Sequence, residues 1–162
     1  MAWPRRRSDH RPAAHNAGND AVESPWTDRY DGVMTWADLA SVQRDLATYI
    51  AKELDGDQRF ARGVCSRAYY AAYALVTARL PAGTGFSHGW QNPAHRELRG
   101  LVNRIAGLSD SQRRAVRCAL NRLRHRREDA DYRPGITVDR SCAIHSLRDA
   151  ASVFYELGGE WS

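Results

Sequence analysis

Apolar residues recur every three or four positions along most of the chain, which is the spacing of α-helices that bury one face. This pattern predicts helices over about residues 36–54, 58–80, 93–106, 110–133 and 138–157. No segment alternates apolar and polar residues for long enough to predict a strand. Because short connections join amphipathic helices, we expect an all-α fold, an antiparallel bundle of about five helices.

Capping signals mark several of the predicted helix ends. Thr35 with Asp38, and Ser109 with Gln112, have the three-residue spacing of capping boxes at the starts of the first and fourth helices. Asn92-Pro93 is typical of a helix start, with Asn as the cap and Pro at the first helical position. Gly158 follows the fifth helix as its stop. The residues expected to face inward are Trp36, Leu39, Val42, Leu46, Tyr49, Ile50 and Leu54; Phe60, Val64, Ala68, Ala72, Leu75, Val76 and Leu80; Leu98, Leu101, Val102, Ile105 and Leu108; and Ala143, Ile144, Leu147, Ala151, Phe154 and Leu157.

Composition divides the chain into two parts. Residues 1–33 show no periodicity and are predicted to be a disordered basic tail, whereas residues 34–158 are predicted to form the helical domain. The formal charge is +5 and the pI is about 9.4, carried almost wholly by arginine, since Lys52 is the only lysine. Such a surface suits phosphate or nucleic acid, although an arginine-rich composition can also arise without that role.

The three cysteines and the absence of long apolar runs indicate the cellular compartment in which the protein is expected. Cys65, Cys118 and Cys142 are odd in number and far apart, so we expect them to be reduced and buried, and no metal site or cofactor is predicted. No apolar run is long enough to span a membrane, and no secretory segment is visible. We therefore expect a cytoplasmic protein with no membrane partner.

The end of the fourth helix holds the candidate chemistry. Residues 122–135 contain five arginines and three acidic residues, and Pro134-Gly135 closes the segment. The apolar stripe Val116, Ala119, Leu120, Leu123 is continued by Arg127 and then by Ala130. An inward guanidinium stays charged and must find partners, and Asp131 and Asp129 are the candidates. The alternative is an exposed arginine-rich helix end held by surface ion pairs.

Three stretches resemble a small prokaryotic branch of the HEPN superfamily. They are Ser66-Arg-Ala-Tyr-Tyr-Ala-Ala-Tyr73 on the second helix, His88 in the following loop, and Leu123-Arg-His-Arg-Arg-Glu-Asp-Ala-Asp-Tyr-Arg-Pro-Gly135. The resemblance covers roughly residues 35–157 and implies a helical bundle that dimerises. It also implies a metal-independent ribonuclease of the toxin type, encoded beside a nucleotidyltransferase antitoxin. The family's active motif is Arg, then His after four to six residues, at this helix end.

The chain departs from that motif at its second position. Arg127, or Arg126 with one residue more between, takes the place of the motif arginine, and Tyr132 stands where the histidine is expected. A phenol is only about one-thousandth ionised at pH 7, so it is a poor general base. The candidate catalytic residues are Arg127, Tyr132, Asp131 and Asp129; the candidate phosphate-binding residues are Arg124, Arg126 and Arg67; Tyr69 and Tyr70 are predicted helix-interface residues.

Together with the resemblance, these residues are compatible with three functions, of which the third is an ordinary helical adaptor with no nucleic-acid role. The first is an RNA-directed dimer that binds RNA and cuts it by 2′-hydroxyl attack. The second is a non-catalytic interaction module whose arginine cluster is a structural ion network. His88 and His95 are expected at the opposite end of the bundle or in its loop, in surface or capping roles. Arg140 and His145 also have the motif spacing, but they lie about 140° apart on a helix and so on different faces.

Overall fold

The computed structural model describes residues 33–53, 58–86 and 92–161. Within these ranges the chain is all-helical and contains no strand, as the spacing predicts. The helices are α1 (Trp36–Lys52), α2 (Gln58–Ala78), α3 (Leu98–Leu101), α4 (Asp110–Tyr132) and α5 (Arg140–Glu156), with a 3-10 turn over Val102–Arg104. The predicted tail (apart from residue 33), Leu54 and His88 lie outside the described residues.

Both predicted capping boxes are present. Thr35 Oγ1 accepts from the Asp38 amide at 3.2 Å, and Asp38 Oδ2 accepts from the Thr35 amide at 2.9 Å. Ser109 and Gln112 make the same reciprocal pair, at 3.2 Å and 2.9 Å. Each pair satisfies two amides that the first helical turn leaves without backbone partners. The sequence signals therefore locate the starts of α1 and α4 correctly.

The third helix is shorter than predicted and does not begin at Pro93. The Asn92 side chain donates to Tyr73 Oη at 3.2 Å instead of capping a helix. Tyr73 Oη in turn donates to the Pro93 carbonyl at 2.6 Å, a carbonyl that a helix starting there would use itself. A tertiary contact to α2 thus overrides the local Asn-Pro signal. The helix begins only at Leu98 and lasts a single turn.

The inward face of α1 is rotated from the predicted stripe. Ala40 and Ala47 are buried at 1% and 0% exposure, whereas Leu46 and Tyr49 are 36% and 64% exposed. Small side chains on this face let α1 and α2 approach closely. At Gly63 of α2 an added Cβ would lie 3.6 Å from Ile50 Cδ1, which is an ordinary van der Waals contact. The face of α1 that packs in the bundle is therefore built on small residues, and Leu46 and Tyr49 stay at the surface.

Smaller corrections concern α2, α5 and the cysteines. Phe60 and Ile144, both predicted to face inward, are 41% and 37% exposed. In α5 the buried residues are Ala143, Ser146, Ala150, Val153 and Phe154, so its core face also consists largely of small side chains. All three cysteines are free, but only Cys65 is buried, and Cys118 is exposed.

The core consists of two apolar clusters, and α4 contributes residues to both. α2 packs against α1, α4 and α5, and the main cluster includes Leu120 and Leu123 of α4. The second cluster includes Val64 of α2, Ala130 of α4 and Val138. Between Leu123 and Ala130, the buried position on α4 is Arg127. The bundle therefore positions one charged side chain where its two apolar clusters separate.

Candidate functional site: the Arg127 cluster

Arg127 faces the interior of the bundle, as its place on the α4 stripe predicts. The residue is 7% exposed. Its Nε lies 2.8 Å from Asp131 Oδ2, an ion pair one helical turn apart whose angle falls outside hydrogen-bond geometry. Its Nη2 donates to Tyr70 Oη of α2. The predicted partnership with Asp131 is confirmed, whereas Asp129 instead pairs with Arg133 at 2.9 Å.

Three tyrosine rings surround the Arg127 guanidinium. Its Cζ lies 4.6 Å from the ring centroid of Tyr132, 5.2 Å from that of Tyr70 and 5.9 Å from that of Tyr69. Cations over aromatic faces are stabilised by the ring quadrupole. Burial opposes the charge on Arg127, but Tyr70, Tyr132 and Asp131 outweigh it and raise the pKa of Arg127. The side chain is therefore a fixed positive charge, and Tyr132, which is 64% exposed, connects it to the surface.

Polar residues of α2 at four-residue intervals hold the end of α4. Tyr70 bonds Arg127, and Ser66 Oγ donates to Asp131 Oδ2 at 3.3 Å. Arg62 donates to the backbone carbonyls of Asp129 and Ala130 at 3.0 Å and 2.7 Å. It also donates to the carbonyls of Arg133 and Pro134, at 3.3 Å each, and to that of Ile136. The carbonyls of Asp129 and Ala130 belong to the last turn of α4, where carbonyls have no partner within the helix.

Sequence reasoning missed Arg62 and Ser66 in this role. The signal that could have found them is their spacing with Tyr70, which puts the three residues on one face of an otherwise apolar helix.

His95 lies beside the Arg127 cluster and not at the opposite end of the bundle. Its Nδ1 is 2.7 Å from Tyr69 Oη, and its ring centroid is 5.9 Å from that of Tyr70. Desolvation, followed by the charges of Arg127 and Arg124, lowers the pKa of His95, so the imidazole is neutral at pH 7. Burial raises the pKa of Tyr69, which keeps its proton. The position of His95 follows from the anchoring of Pro93 on Tyr73, which helical spacing cannot reveal.

Of the predicted phosphate-binding residues, only Arg124 lies at this site. Arg124 lines a pocket of about 160 Å³ together with Tyr69, His95 and Leu120, and its Nε pairs with Glu128 at 2.7 Å.

Arg126 and Arg67 lie elsewhere. Arg126 points to α5, where it pairs with Asp149 and donates to Ser146 Oγ at 2.9 Å. Arg67 is exposed and donates to Gln43 at 3.1 Å. Arg126 is thus a structural residue between α4 and α5, and Arg67 is a surface contact to α1.

Metal and membrane features are absent from the described ranges. No group of three or more His, Cys, Asp or Glu side chains there is arranged to hold a metal ion. None of the helices in residues 33–53, 58–86 and 92–161 is long and apolar enough to cross a membrane. Comparisons of the chain with protein-family models, with curated proteins and with solved structures find no match.

Proposed function

We propose that this protein is an RNA-directed, HEPN-like component of the toxin type, and that the Arg127 cluster binds a backbone phosphate. The observation that carries the proposal is that the buried Arg127 and a second arginine, Arg124, lie close enough to His95 for their charges to add to desolvation in lowering the pKa of its imidazole. Fixed positive charge beside a neutral base is the combination that phosphate-ester chemistry uses. The sequence resemblance to the HEPN superfamily supports the same reading.

The free donors of the cluster suit a phosphate. Arg127 uses Nε and Nη2 within the protein, and in the described part of the chain its Nη1 has no hydrogen-bond partner. Arg124 donates from its Nε to Glu128, and its other two nitrogens have no hydrogen-bond partner among the described residues. One phosphate would therefore receive one bond from Arg127 and further bonds from Arg124, instead of the bidentate contact that a free Arg127 offers.

RNA cleavage at this site would use His95 as the base. When Nδ1–H donates to Tyr69 Oη, Nε2 keeps its lone pair and takes the proton from the 2′-hydroxyl. The 2′-oxygen then bonds to phosphorus, the bond from phosphorus to the 5′-oxygen breaks, and the proton passes to that 5′-oxygen. The products are a 2′,3′-cyclic phosphate and a 5′-hydroxyl, and the two arginines stabilise the charge of the transition state. An imidazole from another segment thus replaces the histidine missing at Tyr132.

The partners belong to the same proposal. The resemblance implies a homodimer and a nucleotidyltransferase antitoxin. Tyr132 is 64% exposed, so its hydroxyl is accessible as an acceptor for nucleotidyl transfer. Mass spectrometry after co-expression with a neighbouring nucleotidyltransferase would detect nucleotide added at Tyr132, and the Tyr132→Phe variant should abolish that mass shift.

Incubation of the full chain with labelled RNA in the presence of a chelator tests the proposal. We expect cleavage to 2′,3′-cyclic phosphate ends that is lost in His95→Ala and retained in His145→Ala, which alters an exposed histidine on α5. The rate should rise with pH as His95 loses its proton. Cleavage that needs a divalent ion, or that is equal in both variants, would contradict the assignment of His95.

A non-catalytic interaction module is the second candidate. It is favoured by the internal bonding of Arg127, because two of its three guanidinium nitrogens already contact Asp131 and Tyr70. In this case the Arg127 cluster stabilises the bundle, and the function of the protein is to bind a protein partner. Absence of both RNA retention and cleavage by a folded protein would favour this function.

A further inference from the structure

A second arginine-rich surface lies along α4, outside the Arg127 cluster. It is a groove of about 650 Å³, which we call the α4 groove. Its charged lining consists of Arg99, Arg113, Arg114, Arg117, Arg122 and one acidic residue, Asp110. Five cations against one carboxylate give a locally positive surface, far more one-sided than the whole chain with its net charge of +5.

Two arginines of the α4 groove have no partner among the described residues. Arg122 pairs with Asp149 at 2.6 Å, and Arg113 donates to the Ile105 carbonyl at 3.0 Å. Arg114 and Arg117, by contrast, form no ion pair or hydrogen bond within residues 33–53, 58–86 and 92–161. Like charges three residues apart on a helix cost about 0.2–0.5 kcal/mol. Among the described residues no contact of Arg114 or Arg117 offsets this cost, which is expected of side chains that bind an external anion.

The α4 groove continues into the pocket beside the Arg127 cluster. Arg99 and Asn121 line both cavities. On α4, positions 114, 117, 121 and 124 lie within about 80° of one another, so they form one face. From Arg114 to Arg124 that face is about 15 Å long. The face is therefore long enough to contact more than one phosphate of a strand.

We infer that the α4 groove binds the backbone of single-stranded RNA and leads it to the Arg127 cluster. The inference rests on the proposed function. It adds the route by which the RNA reaches the Arg127 cluster and the expectation that this RNA is single-stranded. A pocket of about 160 Å³ is too small for a duplex, whereas an unstacked base can lie against the exposed ring of His95 in its wall. The α4 groove has no large apolar side chain, so it lacks the apolar face with which membrane-surface helices bind.

Charge reversal of the two unpaired arginines tests the inference. The variant is Arg114→Glu with Arg117→Glu, measured by fluorescence anisotropy with a labelled single-stranded RNA over a range of salt concentrations. Loss of two phosphate contacts should reduce the slope of log affinity against log salt by about 1.4. We expect the affinity to fall at least about thirtyfold, which corresponds to about 2 kcal/mol. The neutral pair, Arg114→Gln with Arg117→Gln, should show the same change in slope with a smaller loss of affinity.

The matched control is Arg140→Glu with Arg148→Glu, which makes the same change in net charge on exposed positions of α5. It should retain nearly the wild-type affinity and slope, and thermal melting should show that all variants remain folded. Equal loss of binding in the control, or competition by polyglutamate as strong as that by RNA, would overturn the α4 groove as an RNA site. Wild-type affinity in the groove variant would overturn the inference alone and leave the proposed function standing. A wild-type protein that binds no RNA would overturn both.

Discussion

Replacing Arg127 by alanine removes a buried charge that lies between the two apolar clusters. The substitution leaves Tyr70 Oη without its donor and Asp131 without its ion pair. It also opens a cavity where the three-carbon stem packed, because the residue is only 7% exposed. We therefore expect the largest effect on stability of any single arginine substitution in α4.

The size of the loss follows from the contacts. The hydrogen bond from a charged donor to Tyr70 contributes about 1.5–3 kcal/mol. The pair with Asp131, whose side chain is 25% exposed, is screened and contributes about 1 kcal/mol at most. Removing the guanidinium also recovers part of its desolvation cost. The net expectation is a loss of about 3 kcal/mol, at the lower end of the range for a broken buried pair, and a fall in Tm of roughly 10–15 °C.

Urea unfolding followed by far-ultraviolet circular dichroism measures this loss. Tyr70→Phe alone should cost about 1.5–3 kcal/mol, because it removes the same bond. Arg127→Ala with Tyr70→Phe should cost little more than Arg127→Ala alone, which gives a coupling energy of about the same size. Arg148→Ala, on the exposed side of α5, should stay within about 0.5 kcal/mol of the wild type. If Arg127→Ala loses less than about 1 kcal/mol, or if it shows no coupling to Tyr70, the cluster does not stabilise the bundle as argued.

The remaining predictions concern three other residues. Arg62→Ala should lower the free energy of unfolding by about 2 kcal/mol, because carbonyls at the end of α4 lose their donor. Faster amide hydrogen exchange confined to the last turns of α4 would confirm this prediction, and unchanged exchange would contradict it. Burial opposes ionisation of Asp149, but its bonds to Arg122 and Arg126 prevail and lower its pKa from 3.8. The ionised Asp149 therefore stabilises the fold above about pH 4, and this effect is lost as the pH falls through the lowered pKa. The Asp149→Asn variant should be less stable than the wild type at pH 7, and its Tm should depend less on pH below pH 4. The pKa of His95 is lowered from 6.5 in the folded state. Below pH 6.5 the unfolded chain therefore binds a proton that the folded chain does not, and the free energy of unfolding decreases as the pH falls. His95→Gln should reduce this decrease between pH 6.5 and 5, as measured by urea unfolding at each pH.

The features predicted from sequence are those that depend on residues near one another in the chain. The capping boxes at Thr35 and Ser109 are local, and both are found. The inward turn of Arg127 follows from the spacing of Leu120 and Leu123 on one long helix, whose face is set by 3.6-residue periodicity. For a long amphipathic helix such as α4, the spacing of apolar residues is therefore sufficient to predict which face is buried.

The features that were missed depend on contacts between distant segments. The face of α1 is set by how closely Ala40 and Ala47 allow α2 to approach, and no stripe of large residues reveals that distance. The start of α3 is displaced because Tyr73 uses the Pro93 carbonyl, and the same contact carries His95 to the Arg127 cluster. A hydrogen bond across twenty residues decides these positions, and propensity alone cannot predict it.

The polar face of α2 has a consequence for how the bundle aligns. Arg62, Ser66 and Tyr70 each bond a different group near the end of α4. Apolar side chains tolerate sliding, but a shift of α2 along α4 by one helical turn, about 5.4 Å, would break all three bonds at once. These directional contacts therefore fix a single register between α2 and α4. The shape of the pocket beside Arg127 depends on that register.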